Sequence, residues 1–446
     1  MNVLFISYAY PPTNEVGAVR VARLCRYLPE RGIVPTVLTV DAKYYEQQDA
    51  SLEVPPGIPV ERTRVLRTPL DFYGQRKRDQ KPRESSQDAE TVPTGRLRFA
   101  FARRQILALL QAPDPYWGWY LPAIRKGGEI IKDGKMSAII SSGPPWTCHL
   151  VARHLKKKFR LPWIADFRDP WMANPWRWID DLPSWRDRLD HFMESSCLSN
   201  ADVVTCVTEA LREDFVARYP NLPQSRFVVV TNGVDGALPV SSRRRAQSSK
   251  TICLHLGSLY SSSLRRIDTF CQAVVDLVKA GTLNPEHFQI VFVGSESPSN
   301  EKVADSVAPE LIRNHCIEFH KRVTRQESEK LLDGADVLLI FQGDHRLSLP
   351  SKFFDYLRTG KPILAIVEKG ALSDMVEKTG SGTWVAPGDS TAIAQKLLEV
   401  LQFPAKSPEE IEPLFAQFHF RNLAGQLARL VQGLAVAPSS RAATQK

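Results

Sequence analysis

Short apolar runs alternate with amphipathic helical segments along nearly the whole chain. In the first half, an apolar run at residues 3–7 precedes a helical pattern at 18–30, and another apolar run follows at 34–40. The alternation restarts in the second half, with apolar runs at 252–256, 290–294, 317–319, 337–341 and 363–367. This order is typical of α/β proteins, in which helices cover both faces of a parallel sheet. We therefore predict an α/β fold with one parallel sheet in each half.

A chain of 446 residues is too long for one hydrophobic core, and the pattern divides it into two domains. We predict a first domain at 1–235 and a second at 251–415, joined by a Ser- and Arg-rich linker at 236–250. A final helical segment at 416–436 is long enough to return to the first domain, and 437–446 is predicted to be a disordered tail.

The formal net charge of +9 favours an anionic partner, such as nucleic acid, a membrane surface or a phosphorylated small molecule. The seven cysteines are scattered without a Cys-x-x-Cys pair, and the nine histidines do not cluster, so we predict reduced core thiols and no metal site. The first residues lack the features of a signal peptide, and no run reaches the roughly 18 apolar residues that span a bilayer. We therefore expect a cytoplasmic protein.

A basic insertion is predicted at about 70–105, where arginines and lysines accumulate with few apolar anchors. It leads into a basic amphipathic segment at 97–110 and then into an aromatic run at 116–120. Basic residues beside aromatic side chains suit the interface of an anionic membrane, which predicts peripheral association with its inner face. A solvated linker beside a core aromatic cluster explains the same pattern, and the sequence leaves both interpretations open.

The stretch 347–365 predicts one short helix between two apolar runs. Pro350 suits the first helical position, and Ser348 or Ser351 could cap the helix. Orphan backbone N–H groups and the helix dipole favour negative charge at a helix start, where Ser351 and Lys352 both lie. The stretch therefore predicts a phosphate-binding site, although a surface position for Lys352 without a ligand explains the spacing equally well.

Two other loops follow apolar runs and meet the start of a helix. Gly17 begins the helical pattern after the first apolar run, where a glycine lets the backbone approach a ligand closely. Gly257 opens a small-residue loop that reaches a helix start carrying Arg265 and Arg266. Small residues and cations at a helix start predict a second phosphate contact.

An apolar run at 162–167 ends in the sequence Asp166-Phe167-Arg168-Asp169. Two carboxylates and a guanidinium then lie at the carboxyl end of a predicted strand, where parallel sheets usually hold their ligands. This position favours a functional site, while an internal ion pair that supports the following Trp-rich loop stays open as the alternative.

Several motifs, taken together and in this order, resemble the retaining glycosyltransferases of family 4, whose two-domain architecture is called GT-B. The motifs are Pro11-Pro12 with Gly17, Asp166 to Trp171, Asn232 to Asp235, Gly257, Phe319 to Val323, Ala335 to Val337, Pro350 to Pro362 and Gly382 to Asp389. The resemblance spans nearly the whole chain. It implies two Rossmann-like domains that face a cleft, with the last helix returning to the first domain.

The resemblance also implies the reaction. A nucleotide-diphosphate sugar, with UDP or GDP as the nucleotide, would bind chiefly to the second domain and a polysaccharide, glycolipid or lipid-linked acceptor to the first. The sugar would be transferred with retention of the anomeric configuration, without a further cofactor or a metal ion. No nucleic acid is expected as a partner, since this interpretation of the basic insertion ranks last.

Residue roles carry over by position. The resemblance implies that Ser351 and Lys352 hold the diphosphate and that Arg265 or Arg266 adds a cation near it. Asp355 would contact the ribose, and Arg322 would flank the base. Gly17 would cap the phosphates, and Gly257 opens the domain that holds the donor. Lys352 would stabilise the leaving diphosphate. Asp166 or Asp169 would position the acceptor or accept its proton, with Arg168 beside them.

The chain also departs from the family pattern. Leu347 stands where the family usually has a glutamate, and Arg168 stands where a histidine is usual. Two alternatives therefore stay open beside the transferase: a nucleotide-sugar epimerase of the same architecture, and a non-catalytic member that binds a nucleotide or glycan.

Overall fold

The computed structural model describes most of the chain. The described residues are 1–13, 15–45, 48–49, 52, 54–69, 103–174, 183–236, 250–259, 266–294 and 298–436. Most of the basic insertion predicted at about 70–105, almost all of the linker, Arg265 and the tail predicted at 437–446 lie outside these residues.

The structure divides into two compact units. Unit 1 comprises Met1–Val207, Leu211–Val230 and the chain from Leu423 onward. Unit 2 comprises Thr208–Ala210 and Thr231–Asn422. Each unit contains one sheet, so the α/β fold with two parallel sheets predicted from the sequence is confirmed.

The sheet of unit 1 contains seven parallel strands. They are β1 (Asn2–Ile6), β2 (Val34–Val40), β3 (Val60–Thr63), β4 (Ala138–Gly143), β5 (Trp163–Phe167), β6 (Val203–Cys206) and β7 (Phe227–Val229). Their spatial order is β3-β2-β1-β4-β5-β6-β7, and every pairing is parallel. Strands β1, β4 and β5 are covered on both faces, which explains why most of their side chains are apolar and buried.

The helices of unit 1 connect and cover these strands. They are α1 (Val16–Tyr27), α2 (Tyr120–Gly134), α3 (Thr147–Phe159), α4 (Ser184–Asn200) and α5 (Glu209–Arg218), which belongs to unit 1 from Leu211 onward, and residues 103–110 are helical as well. The last helix of the chain, Phe420–Val436, belongs to unit 1 from Leu423 onward. Its Gln432 side chain donates a hydrogen bond to the Arg31 carbonyl at 3.1 Å, so the predicted return of this helix to the first unit is confirmed.

The sheet of unit 2 contains six parallel strands. They are β8 (Thr251–Leu256), β9 (Phe288–Val293), β10 (Ile317–His320), β11 (Val337–Gly343), β12 (Ile363–Val367) and β13 (Gly382–Val385), in the order β10-β9-β8-β11-β12-β13. Each pairing in this sheet is parallel. The order reverses between β8 and β11, and ligands bind at such points in doubly wound sheets.

The helices of unit 2 alternate with its strands. They are α6 (Ile267–Lys279), α7 (Pro298–Val307), α8 (Pro309–Arg313), α9 (Arg325–Gly334), α10 (Lys352–Leu357), α11 (Ala371–Thr379), α12 (Ser390–Leu401) and α13 (Pro408–Phe418), which precede α14 (Phe420–Val436). Two buried clusters cover opposite faces of the sheet. One includes Phe270, Phe292 and Phe341, and the other includes Phe353 and Phe354 of α10.

Four of the described elements do not follow from the sequence pattern: β3, α2, α8 and α13. Helix α2 contains Gly127 and Gly128, which lower helix propensity, and α13 contains an internal proline, Pro413. Packing explains the glycine at position 127, because a Cβ there would lie 2.6 Å from the Leu155 side chain of α3. A tertiary contact that requires a small residue therefore overrides local propensity.

The seven cysteines all lie in described residues, where each is a buried thiol rather than half of a disulfide. Their burial agrees with the prediction that they are core residues. In the described part of the chain, no helix combines the length and apolar character needed to cross a bilayer.

Replacing Gly127 by valine should destabilise unit 1, since the added methyl groups overlap the Leu155 side chain. Overpacking of this kind costs about 1–3 kcal/mol, so the melting temperature should fall. The matched control is Gly433→Val in α14, where nothing lies within 4 Å of an added Cβ. Circular dichroism melting curves measure both variants, and equal melting temperatures would contradict the packing role of Gly127.

Candidate functional site

The carboxyl end of β5 contains a buried ion pair. Both carboxylate oxygens of Asp166 bind the Arg20 guanidinium of α1, at 2.9 and 3.1 Å, and both residues are almost fully buried. The hydroxyls of Ser142 and Thr205 donate to the same carboxylate at 2.7 and 2.8 Å. Four donated hydrogen bonds therefore hold Asp166 in an internal ion pair, although this pair joins α1 and not the Trp-rich loop named in the sequence-based alternative.

Electrostatics agree with a structural role for Asp166. Burial alone would raise the pKa of its carboxyl, but the Arg20 charge and the donated hydrogen bonds outweigh burial and lower the pKa to about 2. Such a carboxylate is a weak proton acceptor at neutral pH. Its main effect is to fix α1 against the sheet, because Arg20 also donates to the Val230 carbonyl at 2.9 Å.

Arg168 follows the same strand and lies against Gly17. A Cβ on Gly17 would overlap the Arg168 guanidinium, so only glycine permits this approach to the first turn of α1. The guanidinium donates one hydrogen bond to the Pro144 carbonyl, while Nη1 is buried without a hydrogen-bond partner among the described residues. The structure thus brings two predicted site residues together and leaves an N–H donor of Arg168 available to a ligand.

Asp169 is half-buried in the loop that begins after β5. Two contacts fix that loop. The buried Glu194 carboxylate accepts the Met172 N–H at 3.1 Å, and the Trp171 ring stacks on Trp146 with ring centroids 4.9 Å apart. A partly exposed carboxylate beside these fixed residues can orient a bound hydroxyl group.

His149 is a buried residue that the sequence did not mark as part of this site. Its Nδ1 atom lies 2.8 Å from the Ser141 hydroxyl, and its Nε2 atom has no hydrogen-bond partner in the described part of the chain. Burial lowers the pKa of the imidazole to about 3, so the ring is neutral at physiological pH. A Cβ on Gly143 would lie 2.7 Å from this Nε2 atom, which places His149 at the carboxyl end of β4.

In unit 2, Lys352 begins α10 and lies over the backbone that follows β8. A Cβ on Gly257 would lie 2.8 Å from the Lys352 ammonium nitrogen. Gly257 also has a φ of 105°, in the left-handed region that favours glycine. The Gly257 backbone in turn approaches Gly294, where a Cβ would lie 3.2 Å from it. Two glycines therefore create the space beside the ammonium.

One helical turn after Lys352, a second residue of α10 contacts the carboxyl end of β8. The Leu256 N–H donates to the buried Tyr356 hydroxyl at 2.8 Å, and Tyr356 follows Lys352 by four residues. Both side chains consequently lie on one face of the helix and contact residues 256–257. This arrangement fixes the direction in which Lys352 points.

The structure corrects the reasoning about the start of α10. The helix has only six residues, and Ser351 occupies the N-cap position without a side-chain capping bond, so the predicted side-chain cap is wrong. A helix this short contributes a weak dipole. The anion-binding prediction therefore depends on the Lys352 charge more than on the helix end.

The remaining predicted donor residues lie in unit 2. Asp355 is half-buried in the first turn of α10, and Arg322 is exposed in the loop between β10 and α9. Arg266 precedes α6 and pairs with Asp268 at 3.2 Å, while a Cβ on Gly388 would lie 3.5 Å from its guanidinium. The geometry brings Gly257 and Lys352 together, and brings Arg266 close to the Gly388 loop.

The described residues contain no group of three or more His, Cys, Asp or Glu side chains with the geometry of a metal site. The candidate residues instead offer cationic and N–H donors: Lys352 and Arg266 in unit 2, and Arg168 in unit 1. Such groups bind phosphate and carboxylate oxygens directly.

Comparison with known protein families gives two matches that together take up most of the chain. The model described as "Glycosyl transferase 4-like domain" matches residues 17–233, and the model described as "Glycosyl transferases group 1" matches residues 250–402. Among curated proteins, "Probable glycosyltransferase WbjE" of Pseudomonas aeruginosa is 31% identical over 110 residues, or 24% of this chain. The chain spans 28% of the length of that relative.

Solved structures share the fold across nearly their whole length. Sucrose-phosphate synthase from Thermosynechococcus elongatus superposes with a TM-score of 0.66 and 16% identity, over 97% of this chain and 99% of that one. HepE of Anabaena, solved in complex with UDP-glucose, gives a TM-score of 0.58 and 14% identity, over 97% of this chain and 100% of that one. At sequence identities this low, the similarity shows a shared fold and nothing about activity.

Replacing Asp166 by asparagine should destabilise the protein by about 3 kcal/mol or more at pH 7, because Arg20 loses its buried counter-charge. The carboxylate of the unaltered protein contributes stability above its unfolded pKa near 4 and loses it as the pH falls through about 2. The difference in melting temperature between the two proteins should therefore shrink between about pH 4 and pH 2. A thermal melting series over this pH range measures it.

The control is Asp133→Asn, which alters an exposed carboxylate on α2 and should leave the melting temperature nearly unchanged. A melting difference for Asp166→Asn that stays constant from pH 5 to pH 2 would contradict the depressed pKa of Asp166.

Proposed function

We propose that the chain transfers a sugar from a nucleotide-diphosphate donor to a glycan or lipid-linked acceptor, with retention of the anomeric configuration, because two glycosyltransferase family models together match most of it. The observation that supports the donor site best is the Lys352 ammonium held over Gly257 at the carboxyl end of β8. UDP- and GDP-sugars are the proposed donors, and the complex of HepE with UDP-glucose favours the first.

Departure of the nucleoside diphosphate leaves negative charge on its phosphate oxygens. In this proposal, the Lys352 ammonium binds those oxygens and stabilises the transition state more than the ground state, because the charge grows as the glycosidic bond breaks. The absence of a Cβ at Gly257 and at Gly294 lets the Lys352 ammonium and the backbone after β8 approach each other closely. Ser351, next to Lys352, would donate its hydroxyl to the same diphosphate.

The remaining donor contacts are assigned by position. Asp355 would accept a hydrogen bond from the ribose, Arg322 would flank the base, and Arg266 would add a cation near the diphosphate. Arg266 is already paired with Asp268 at 3.2 Å, so part of its charge is compensated before a ligand binds. Lys352 is the proposed cation for the leaving group, and Arg265 has the same proposed role as Arg266.

In unit 1, Arg168 and Asp169 are the proposed residues on the acceptor side. Arg168 offers a buried N–H donor beside Gly17, suited to an oxygen of a ligand bound to unit 1. Asp169 is the carboxylate that would position the acceptor hydroxyl and accept its proton. Asp166 would have a structural role and no direct part in the reaction, since its four hydrogen bonds fix α1 and therefore the position of Gly17.

Replacing Lys352 by alanine should abolish most sugar transfer, since the leaving group loses a direct cation. We expect a fall in kcat/KM of about a hundredfold or more, equivalent to about 2.7 kcal/mol of transition-state stabilisation. Turnover of isotope-labelled UDP- and GDP-sugars measures the effect. The matched control is Lys396→Ala, a surface lysine on α12 that pairs with Glu399 and should leave turnover unchanged.

A thermal-shift panel of nucleotide sugars separates this function from its alternatives. A ligand that binds only the folded state raises the melting temperature, so a transferase or an epimerase should respond to at least one donor. An epimerase would convert the donor without any acceptor. Binding without hydrolysis, transfer or epimerisation would favour a non-catalytic member, and no response to any donor would refute the proposed function.

Helical residues 103–110 support the membrane part of the proposal. Ile106 and Leu109 are each 58% exposed, one turn apart, while Arg103 and Arg104 add exposed positive charge. The buried Arg186 side chain fixes the end of this helix by donating to the carbonyls of residues 108, 111 and 113. A rigid helix with exposed apolar and basic side chains suits an anionic bilayer surface, where a lipid-linked acceptor would lie.

The double substitution Ile106→Ser and Leu109→Ser should weaken binding to vesicles that contain anionic lipid. Burial of two aliphatic side chains contributes about 3 kcal/mol, so binding should fall at least tenfold in a flotation assay. The control is Val34→Ser, which removes an exposed apolar side chain at the start of β2. Equal binding of the double variant and the unaltered protein would rule out this helix as the membrane contact.

A further inference from the structure

His255 is a polar side chain inside a buried apolar strand. It is fully buried in β8, two residues before Gly257. The ring packs against Phe341 with centroids 5.4 Å apart and against Phe292 at 6.1 Å, which fixes its orientation. A buried imidazole among aromatic rings is costly unless its nitrogen atoms are hydrogen-bonded. Both nitrogen atoms of His255 have such partners.

The partners of His255 determine its tautomer. The Nδ1 atom lies 2.8 Å from the Leu339 carbonyl oxygen, which can only accept, so Nδ1 carries the proton. In the neutral ring Nε2 is then an acceptor. It lies 3.4 Å from the Lys352 ammonium nitrogen, which can only donate. The imidazole therefore connects the backbone of β11 to the first residue of α10.

A neutral acceptor affects a lysine differently from a carboxylate. A carboxylate partner would offset the ammonium charge and compete with an incoming phosphate. The neutral Nε2 lone pair directs the ammonium toward the space above Gly257 without cancelling its charge. Lys352 is the first residue of a six-residue helix, and a long flexible side chain there loses substantial entropy when it is held in one position.

We propose that His255 is a positioning residue for Lys352, holding the ammonium in the orientation that binds the donor diphosphate. This inference rests on the proposed function, because it assigns the ligand of Lys352 to a nucleoside diphosphate. The role does not require contact between His255 and the substrate. It predicts that His255 contributes to donor binding only when Lys352 is present.

Two isosteric amides separate the two hydrogen bonds of His255. His255→Asn retains a donor near the Nδ1 position, for the Leu339 carbonyl, but is too short to reach Lys352. His255→Gln places an amide oxygen near the Nε2 position and can accept from Lys352. Isothermal titration with UDP and with GDP should show binding about tenfold weaker for His255→Asn and largely restored for His255→Gln. A purely structural role would make His255→Asn the better of the two.

A double-mutant cycle with Lys352→Ala gives the second readout. In that background, His255→Asn should cause no further loss of nucleotide affinity, since the group that it positions is gone. An equal loss in both backgrounds would overturn the inference. If the unaltered protein binds neither UDP nor GDP, the proposed function fails before the role of His255 is reached.

A measurement on the unaltered protein tests the proposal even if the His255 variants do not fold. Nitrogen NMR of imidazole-labelled protein should show His255 as the neutral Nδ1–H tautomer, and its Nε2 signal should shift when UDP or GDP is added, because the ligand changes the hydrogen bond from Lys352. An Nε2–H tautomer, or an Nε2 signal unaffected by a nucleotide that binds, would overturn the proposed contact.

Discussion

Both candidate sites depend on the close approach of a cationic side chain to a glycine at the carboxyl edge of a parallel sheet. The Arg168 guanidinium occupies the space where Gly17 lacks a Cβ, and the Lys352 ammonium lies over Gly257 in the same way. A Cβ at either glycine would displace the cation. Because parallel strands end at one edge, a loop that follows one strand can contact a helix that follows another.

The charged groups near these glycines differ in how fully they are compensated. The Asp166 carboxylate accepts four hydrogen bonds, so its hydrogen-bonding capacity is used within the protein and it acts as a structural residue that fixes α1. Arg168, two residues later, retains a buried N–H without a partner among the described residues. His255 contributes a neutral hydrogen bond to the Lys352 ammonium. A buried donor that has no protein acceptor, or a cation that keeps its charge, is suited to an anionic ligand.

The sequence predicted most of the fold because covered parallel strands are apolar runs of a characteristic length. It did not predict α2, since Gly127 and Gly128 argue against a helix until the contact with Leu155 is known. Nor did it predict β3, a short edge strand without a continuous apolar run. In the two candidate sites, Gly17, Gly257, Arg168 and Lys352 followed from their positions after apolar runs. His149 and His255 did not, although a histidine inside an apolar strand, as in 252–256, is a signal for a buried hydrogen bond.

The sequence by itself determined the two parallel sheets, their order along the chain, and the loops that carry small residues and cations, since these depend on local pattern. Only the tertiary structure decided what each charged residue does. It paired Asp166 with Arg20, which is 146 positions away in the chain, and it joined His255 to Lys352 across 97 positions. The strength of a charge or a hydrogen bond depends on burial and on partners that are distant in sequence, and no local pattern contains that information.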